Sequence, residues 1–396
     1  MTEAEPRILV VLGTRPEAIK LAPVINALRA TPDALSVGVC VTGQHREMLT
    51  PILELFGIVP DYQLGLMTPN QKLARLTSAI LDEITPVLDA FRPDWVIVQG
   101  DTTTALAACL ASFYQGVRVA HVEAGLRTND KRRPFPEEAN RRIVDTLSDL
   151  HFAPTERARR SLLAEGTNPA TVHVTGNTVI DALCQTSARE YDVGSGPLAG
   201  VPFDRRIVLV TAHRRESFGQ GMIAICRALA RLVDEVPDVQ VVYPVHLNPN
   251  VRDPVRERLG GDPRISLLPP LDYQALVHLM RRATLILTDS GGIQEEAPTL
   301  GKPVLVLREV TERPEAIEAG CARLVGTDAS RIVSEARRLL QDRGAYDRMA
   351  RVVNPFGDGR ASERIVAVLR SADVAARSAA RETTSRQGIE AALTPN

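Results

Sequence analysis

The alternation of short apolar runs with helical stretches predicts an α/β protein of two doubly wound domains facing each other across a cleft. Three observations carry this. Runs such as Ile8-Leu9-Val10-Val11-Leu12, Trp95-Val96-Ile97-Val98 and Ile207-Val208-Leu209-Val210 are short and apolar throughout, as strands buried on both faces of a parallel sheet are. Each leads through a polar turn into a helical stretch, the order that builds βαβ units. The whole pattern restarts after residues 188–204, where Gly194, Gly196, Pro197, Gly200 and Pro202 give linker composition. The expected domains are therefore 1–187 and 205–353, followed by a terminal helix over 354–376 and a weakly ordered tail over 377–396.

Composition narrows the function. The chain has 396 residues, 44% hydrophobic and 24% charged, with net charge -1. That is an ordinary two-domain enzyme composition, and it gives no reason to expect nucleic acid or an anionic membrane as a partner. Cys40, Cys109, Cys184, Cys226 and Cys321 show no CxxC spacing, so neither a zinc site nor a disulfide framework is suggested. The first residues carry no signal-peptide pattern, and no run approaches the ~20 apolar residues of a membrane helix. The expected address is the cytoplasm.

In the first half, Ile8 to Leu12 runs into Gly13-Thr14-Arg15-Pro16-Glu17 and a helix to about Leu28, with Pro16 suited to a first helical position. Arg15 and Lys20 lie at the mouth of this turn, where an open α/β sheet collects ligands. The next strand, through Val41, ends in Thr42-Gly43-Gln44-His45. A helical pattern runs from about Asn70 to Phe91. The strand Trp95 to Val98 ends in Gln99-Gly100-Asp101-Thr102-Thr103-Thr104, where Asp101 reads equally as an N-cap or as a carboxylate at the sheet edge. The strand Val117 to Ala120 ends in His121-Val122-Glu123-Ala124-Gly125. Pro136-Glu137-Glu138 then opens a helix that carries Asn140 and Arg141. Each acid has a structural reading by itself. Their joint placement at one edge of a parallel sheet suits proton transfer, because burial and neighbouring carboxylates tune acidity there.

In the second half, the strand Ile207 to Val210 ends in His213-Arg214-Arg215-Glu216, and the strand Val239 to Tyr243 leads to His246. The run Leu285-Ile286-Leu287 leads into Thr288-Asp289-Ser290-Gly291-Gly292-Ile293-Gln294-Glu295-Glu296. Two glycines let backbone approach a ligand closely, and the following helix offers unpaired N–H groups to a phosphate. Glu295 and Glu296 read either as complements to the helix dipole or as acceptors for a ribose diol. Arg313 follows the last strand, within reach of the same phosphates or of a sugar hydroxyl. Bottom-up, the second half is the diphosphate side and the first half the sugar side of a nucleotide-sugar. No GxGxxG follows the first strand, which argues against a nicotinamide dinucleotide.

These same stretches carry a resemblance. Gly13 to Glu17, Gly100 to Thr104, His121 to Gly125, Pro136-Glu137-Glu138 with Asn140-Arg141, Gly176-Asn177-Thr178, His213 to Glu216, Asp289 to Glu296 and Thr311-Glu312-Arg313-Pro314-Glu315 resemble the non-hydrolysing UDP-N-acetylglucosamine 2-epimerases over roughly residues 7–370. The resemblance implies a GT-B fold whose C-terminal helix returns toward the first domain. It also implies a homodimer, no metal and no cofactor, and interconversion of UDP-GlcNAc and UDP-ManNAc for cell-surface polysaccharides.

By the same resemblance, UDP is eliminated across C1–C2 to give 2-acetamidoglucal and is then added back. Asp101, Glu123 and Glu137 would be the proton-transfer acids. His213 would assist the leaving diphosphate, and Arg15, Lys20 and Arg141 would position charge. Ser290, Gly291 and Gly292 would hold phosphates, Glu296 the ribose and Arg313 the substrate. Gln44, His45, Arg214 and His246 match positions of a second, activating UDP-GlcNAc site. Two departures stand out: Arg132 and Arg133 replace an aromatic and a small residue of many relatives, and Met67 to Lys72 lacks their Gly and Arg variants. The first suits a modified UDP-sugar such as a diacetamido uronic acid. A GT-B glycosyltransferase would share the phosphate site but need an acceptor pocket. A non-catalytic UDP-sugar sensor would not need the acids.

Overall fold

Thirteen parallel strands form two sheets in the computed structural model, which describes residues 5–31, 35–43, 46–66 and 71–372. The first sheet contains β1 (Arg7–Leu12), β2 (Ser36–Val41), β3 (Tyr62–Gln63), β4 (Trp95–Gln99), β5 (Arg118–Val122), β6 (Leu150–Ala153) and β7 (Val172–Val174). Their order is β3-β2-β1-β4-β5-β6-β7. The second contains β8 (Arg206–Thr211), β9 (Val239–Pro244), β10 (Ile265–Leu268), β11 (Ala283–Thr288), β12 (Val304–Val306) and β13 (Ala322–Leu324). Its order is β10-β9-β8-β11-β12-β13. Both sheets start in the middle, wind out to one edge, and cross back to wind out to the other. This is the doubly wound, Rossmann-like plan expected from the sequence.

The strands are apolar because helices cover the sheets. In β1 every residue from Ile8 to Leu12 is buried, as is all of β4. The helices present amphipathic faces to them. In Gln220–Glu235, Met222, Ile225, Cys226, Leu229, Leu232 and Val233 all lie in the core of the second sheet.

The chain divides into two units, Met1–Thr178 with Arg360–Asn396 and Val179–Gly359. Residues 188–204 fall in the second unit; they include the short turn Gly196–Leu198, whose Leu198 is buried. Residues 361–372 are helical and belong to the first unit. Arg364 Nη1 donates to the Thr175 carbonyl at 3.0 Å, and Ile365 and Leu369 are buried. Among the described residues no helix is long and apolar enough to cross a membrane. The start of the expected helix at Asn70, the stretch from Met67 and the tail over 377–396 lie outside the described residues.

Candidate active site

A doubly wound sheet has one place where adjacent strands send their helices to opposite faces, and the loops there part to leave a crevice. In the first sheet that place lies between β1 and β4, in the second between β8 and β11. The turn from Gly13 to Glu17 follows β1 and Asp101 follows β4; His213 follows β8 and the Asp289 to Gly292 turn follows β11. Both sets of candidate residues therefore flank switch points.

In the first unit the two switch-point loops are clipped together. Thr14 caps the helix Arg15–Arg29 in a reciprocal capping box with Glu17. Glu17 accepts from the N–H groups of Gly13 and Thr14 at 3.0 and 2.6 Å, and from the Thr102 hydroxyl at 2.5 Å. Burial lifts the Glu17 carboxyl above its ordinary range, against the lowering effect of these donors. A Cβ on Gly13 would collide with the hydroxyls of Thr104 and Thr42, which bond each other at 3.1 Å. Glycine is required there by space.

The three acids sit in three different states. Asp101 pairs with Arg141 at 2.5 Å, and its carbonyl accepts from Asn140 at 2.9 Å, so the helix Glu137–Leu147 is tied over the end of β4. Glu123 pairs with Lys20 at 2.5 Å and also accepts from Asn177, at 3.0 Å, and from Gln99. It is 7% exposed, and its backbone is left-handed at φ +68°, a region costly for a residue with a Cβ. Such strain clusters at functional positions. Glu137, in the first turn of its helix, has a buried oxygen with no hydrogen-bond partner among the described residues. The sequence marked these acids by strand ends and motif. It gave no role to Gln99, Asn177 or Glu17; their signal is the same, a polar side chain at or just beyond a strand end. Arg15 is exposed and has no bonded partner among the described residues, so nothing ties it to the acids.

In the second unit the clip is Asp289, fully buried, whose Oδ2 accepts from the N–H groups of His213 and Arg214 at 2.6 and 2.7 Å. Its Oδ1 lies 3.4 Å from His213 Nδ1. The His213 ring stacks on His246 with centroids 5.6 Å apart. His246 Nδ1 accepts from the Asn248 N–H at 3.1 Å. Desolvation lowers the His213 pKa below its ordinary value; Asp289 opposes this, while His246 and Arg214 add to it.

Ser290 precedes the short helix Gly291–Glu296. A Cβ on Gly291 would stand 3.8 Å from the Arg313 guanidinium and 4.0 Å from Arg214, and one on Gly292 would stand 3.9 Å from both Glu296 and the Ser290 hydroxyl. All the expected substrate-binding side chains, with Arg214, thus converge on the two glycines. Arg313 is held by an ion pair with Glu295, and its N–H donates to Thr311, whose hydroxyl donates to Gln294 at 2.5 Å. Tyr273 donates to Glu296 at 3.0 Å. Of the expected activating residues, Arg214 and His246 lie at this site, while Gln44 and His45 fall outside the described residues. No three His, Cys, Asp or Glu among the described residues are grouped to hold a metal ion.

Comparison with known proteins gives a consistent result. The family model for UDP-N-acetylglucosamine 2-epimerase matches residues 26–370. A UDP-N-acetylglucosamine 2-epimerase of Escherichia coli strain K12 is 53% identical over 373 residues, covering 92% of this chain and 98% of that protein. The structure is similar to that of the UDP-GlcNAc 2-epimerase of Neisseria meningitidis bound to UDP-GlcNAc, at 47% identity and TM-score 0.84, over 92% of this chain and 100% of that one. It is also similar to the Methanocaldococcus jannaschii UDP-GlcNAc 2-epimerase in complex with UDP-GlcNAc and UDP, at 34% identity and TM-score 0.75, over 92% and 99% of the two chains.

Proposed function

From the premise that the chain belongs to the UDP-N-acetylglucosamine 2-epimerase family and has its 2-epimerase activity, we propose how the residues divide the work. The second unit holds UDP: Ser290, Gly291 and Gly292 take the phosphates with Arg313, and Glu296 takes the ribose. The first unit faces the sugar. A carboxylate removes the C2 proton while the C1–O bond breaks, its electron pair leaving on the UDP diphosphate, and C1=C2 forms as 2-acetamidoglucal. UDP then adds back at C1 as a proton is delivered to the other face of C2. The products are UDP-GlcNAc and UDP-ManNAc, precursors of cell-surface polysaccharide.

The observation that carries this is the difference among the acids. Glu137 has an oxygen with no partner among the described residues, which suits it to accept the C2 proton. Asp101 with Arg141 and Glu123 with Lys20 form charge pairs, which suit proton relay and orientation on the sugar. His213, stacked on His246 beside the phosphate-binding turn, stabilises or protonates the leaving diphosphate. Fixed cations and donors aimed at developing charge usually supply the largest rate term. Arg15 is proposed to reach the sugar only with substrate present. Arg214 and His246, with Gln44 and His45, form the proposed activating UDP-GlcNAc site of a cytoplasmic homodimer.

Proton NMR with UDP-GlcNAc in D2O tests the reading. UDP-ManNAc carrying deuterium at C2, formed without acceptor or added cofactor, is the expected result. Absence of C2 exchange with UDP-GlcNAc would overturn it and direct the test to modified UDP-sugars and then to acceptors.

A further inference from the structure

Beneath the two acids that follow β4 and β5 lies a buried charge network. The His121 side chain is on β5, two residues before Glu123, and is fully buried. Its Nδ1 is 2.6 Å from Asp145 Oδ1 and its Nε2 is 2.8 Å from the Gly100 carbonyl, the residue before Asp101. Asp145, on the helix Glu137–Leu147, is also buried. Its other oxygen pairs with Arg127 at 2.7 Å and accepts from the Gly125 N–H at 3.3 Å. Arg127 in turn forks onto Glu165 at 2.8 and 2.6 Å. His151, the register partner of His121 on β6, donates from Nε2 to the Asp145 carbonyl at 2.8 Å.

A carbonyl oxygen can only accept. Asp145 is a carboxylate on its geometry: its Oδ2 takes both the Arg127 guanidinium and the Gly125 N–H, the donors an ionised oxygen accepts. Both ring nitrogens of His121 thus face acceptors. A neutral imidazole has one N–H and one lone pair, so it satisfies one of the two bonds and sets a lone pair against an acceptor at the other; the cation donates from both. Glu165, which takes the outer edge of Arg127, is exposed and also pairs with Arg142 at 3.7 Å, so the buried part of the network is Asp145 between Arg127 and His121. Burial lowers the pKa of His151, despite the opposing effect of Asp145, which disfavours a third cation beside Arg127 and His121.

We propose that His121 is a permanent imidazolium and a positioning residue, whose two N–H groups bind the Gly100 carbonyl to Asp145. It thereby fixes the loops that carry Asp101 and Glu123. The link to turnover rests on the epimerase reading; the protonation state does not. A doubly protonated ring also explains why a histidine occupies this strand position: Asn offers a donor only near the Nδ1 position, and Gln only near Nε2.

Neutron crystallography of the whole enzyme after D2O exchange at pH 8, above the ordinary histidine range of about 6.5, reads the ring directly. Deuterium on both nitrogens is expected; deuterium on one alone would overturn the proposal. The variants H121N and H121Q test the positioning role. Each is expected to lower kcat at least tenfold, with KM for UDP-GlcNAc and the affinity for UDP within about twofold of wild type, because the UDP-holding side chains belong to the other unit. Turnover within twofold of wild type in either variant would overturn that role, as would a parallel loss of UDP binding, which would mark a general packing defect. A doubly deuterated ring in an enzyme that shows no C2 exchange would support the imidazolium while removing the epimerase reading.

Discussion

At Glu137 the carboxylate is not committed to an ion pair among the described residues, which sets it apart from Asp101 and Glu123. Its buried oxygen has no bonded partner among the described residues. E137Q is therefore expected to leave stability within about 0.5 kcal/mol, as substitutions without a lost contact do. C2 deuterium exchange should fall by roughly 10²–10⁴, the usual worth of a general base. Denaturant unfolding and NMR exchange check the two halves of that statement. His213 gives a second test. Its pKa in the free enzyme is lowered by desolvation, with His246 and Arg214 assisting, so its NMR titration midpoint should lie below the ordinary ~6.5. Bound UDP brings anionic charge, which favours the imidazolium, so the midpoint should move up when UDP is added. No movement would place the diphosphate away from the ring. These residues were legible because strand ends and motif order mark them. What was not legible is their pairing. No spacing rule joins Lys20 to Glu123 or Arg141 to Asp101 across so much chain, and the left-handed backbone of Glu123 has no local signature in a Val-Glu-Ala sequence.

At the scale of elements, each switch point is fastened by one buried acid, Glu17 in the first sheet and Asp289 in the second. Glu17 makes a pH prediction whose sign is opposite to that of most carboxylates. Its folded pKa is raised from 4.5 by burial, so the folded state binds more protons than the unfolded state in the window just above that value. Stability is then lost as pH rises through the window. E17Q removes this ionisation, so the stability of E17Q relative to wild type should increase between about pH 4.5 and neutrality, as read by denaturant midpoints. A constant difference would mean that the donors hold Glu17 ionised at no cost. The long apolar strands and the helices after them were readable from period and length. The short strands Tyr62–Gln63 and Ala322–Leu324, and the helix Arg46–Leu55, were not anticipated. A strand of two or three residues has too few positions to show a period, and it exists because a neighbouring edge offers backbone partners. Sheet order was likewise implied only through the general rule for βαβ units.

Over the whole molecule, the family resemblance and the two-unit α/β plan were legible because eight motif stretches occur in order along the chain, and the relatives cover more than nine-tenths of it. The division of the chain was harder, since the first unit takes back residues from Arg360 on after the second has been traversed. Ile365, Val366 and Leu369 are buried there, each worth about 1.5–3 kcal/mol. A chain ending at Gly359 is expected to lose several kcal/mol from the first unit while the second retains its melting transition; calorimetry with two resolved transitions checks this. The same return of the chain sets a timetable on the ribosome. The first 178 residues emerge early but lack the helix over 361–372 until the whole second unit has been made, roughly 10–35 s later at ~5–20 residues per second. For that interval the half bearing the proposed proton-transfer acids exposes the apolar seat of its own last helix, and it is the nascent half that a chaperone would meet.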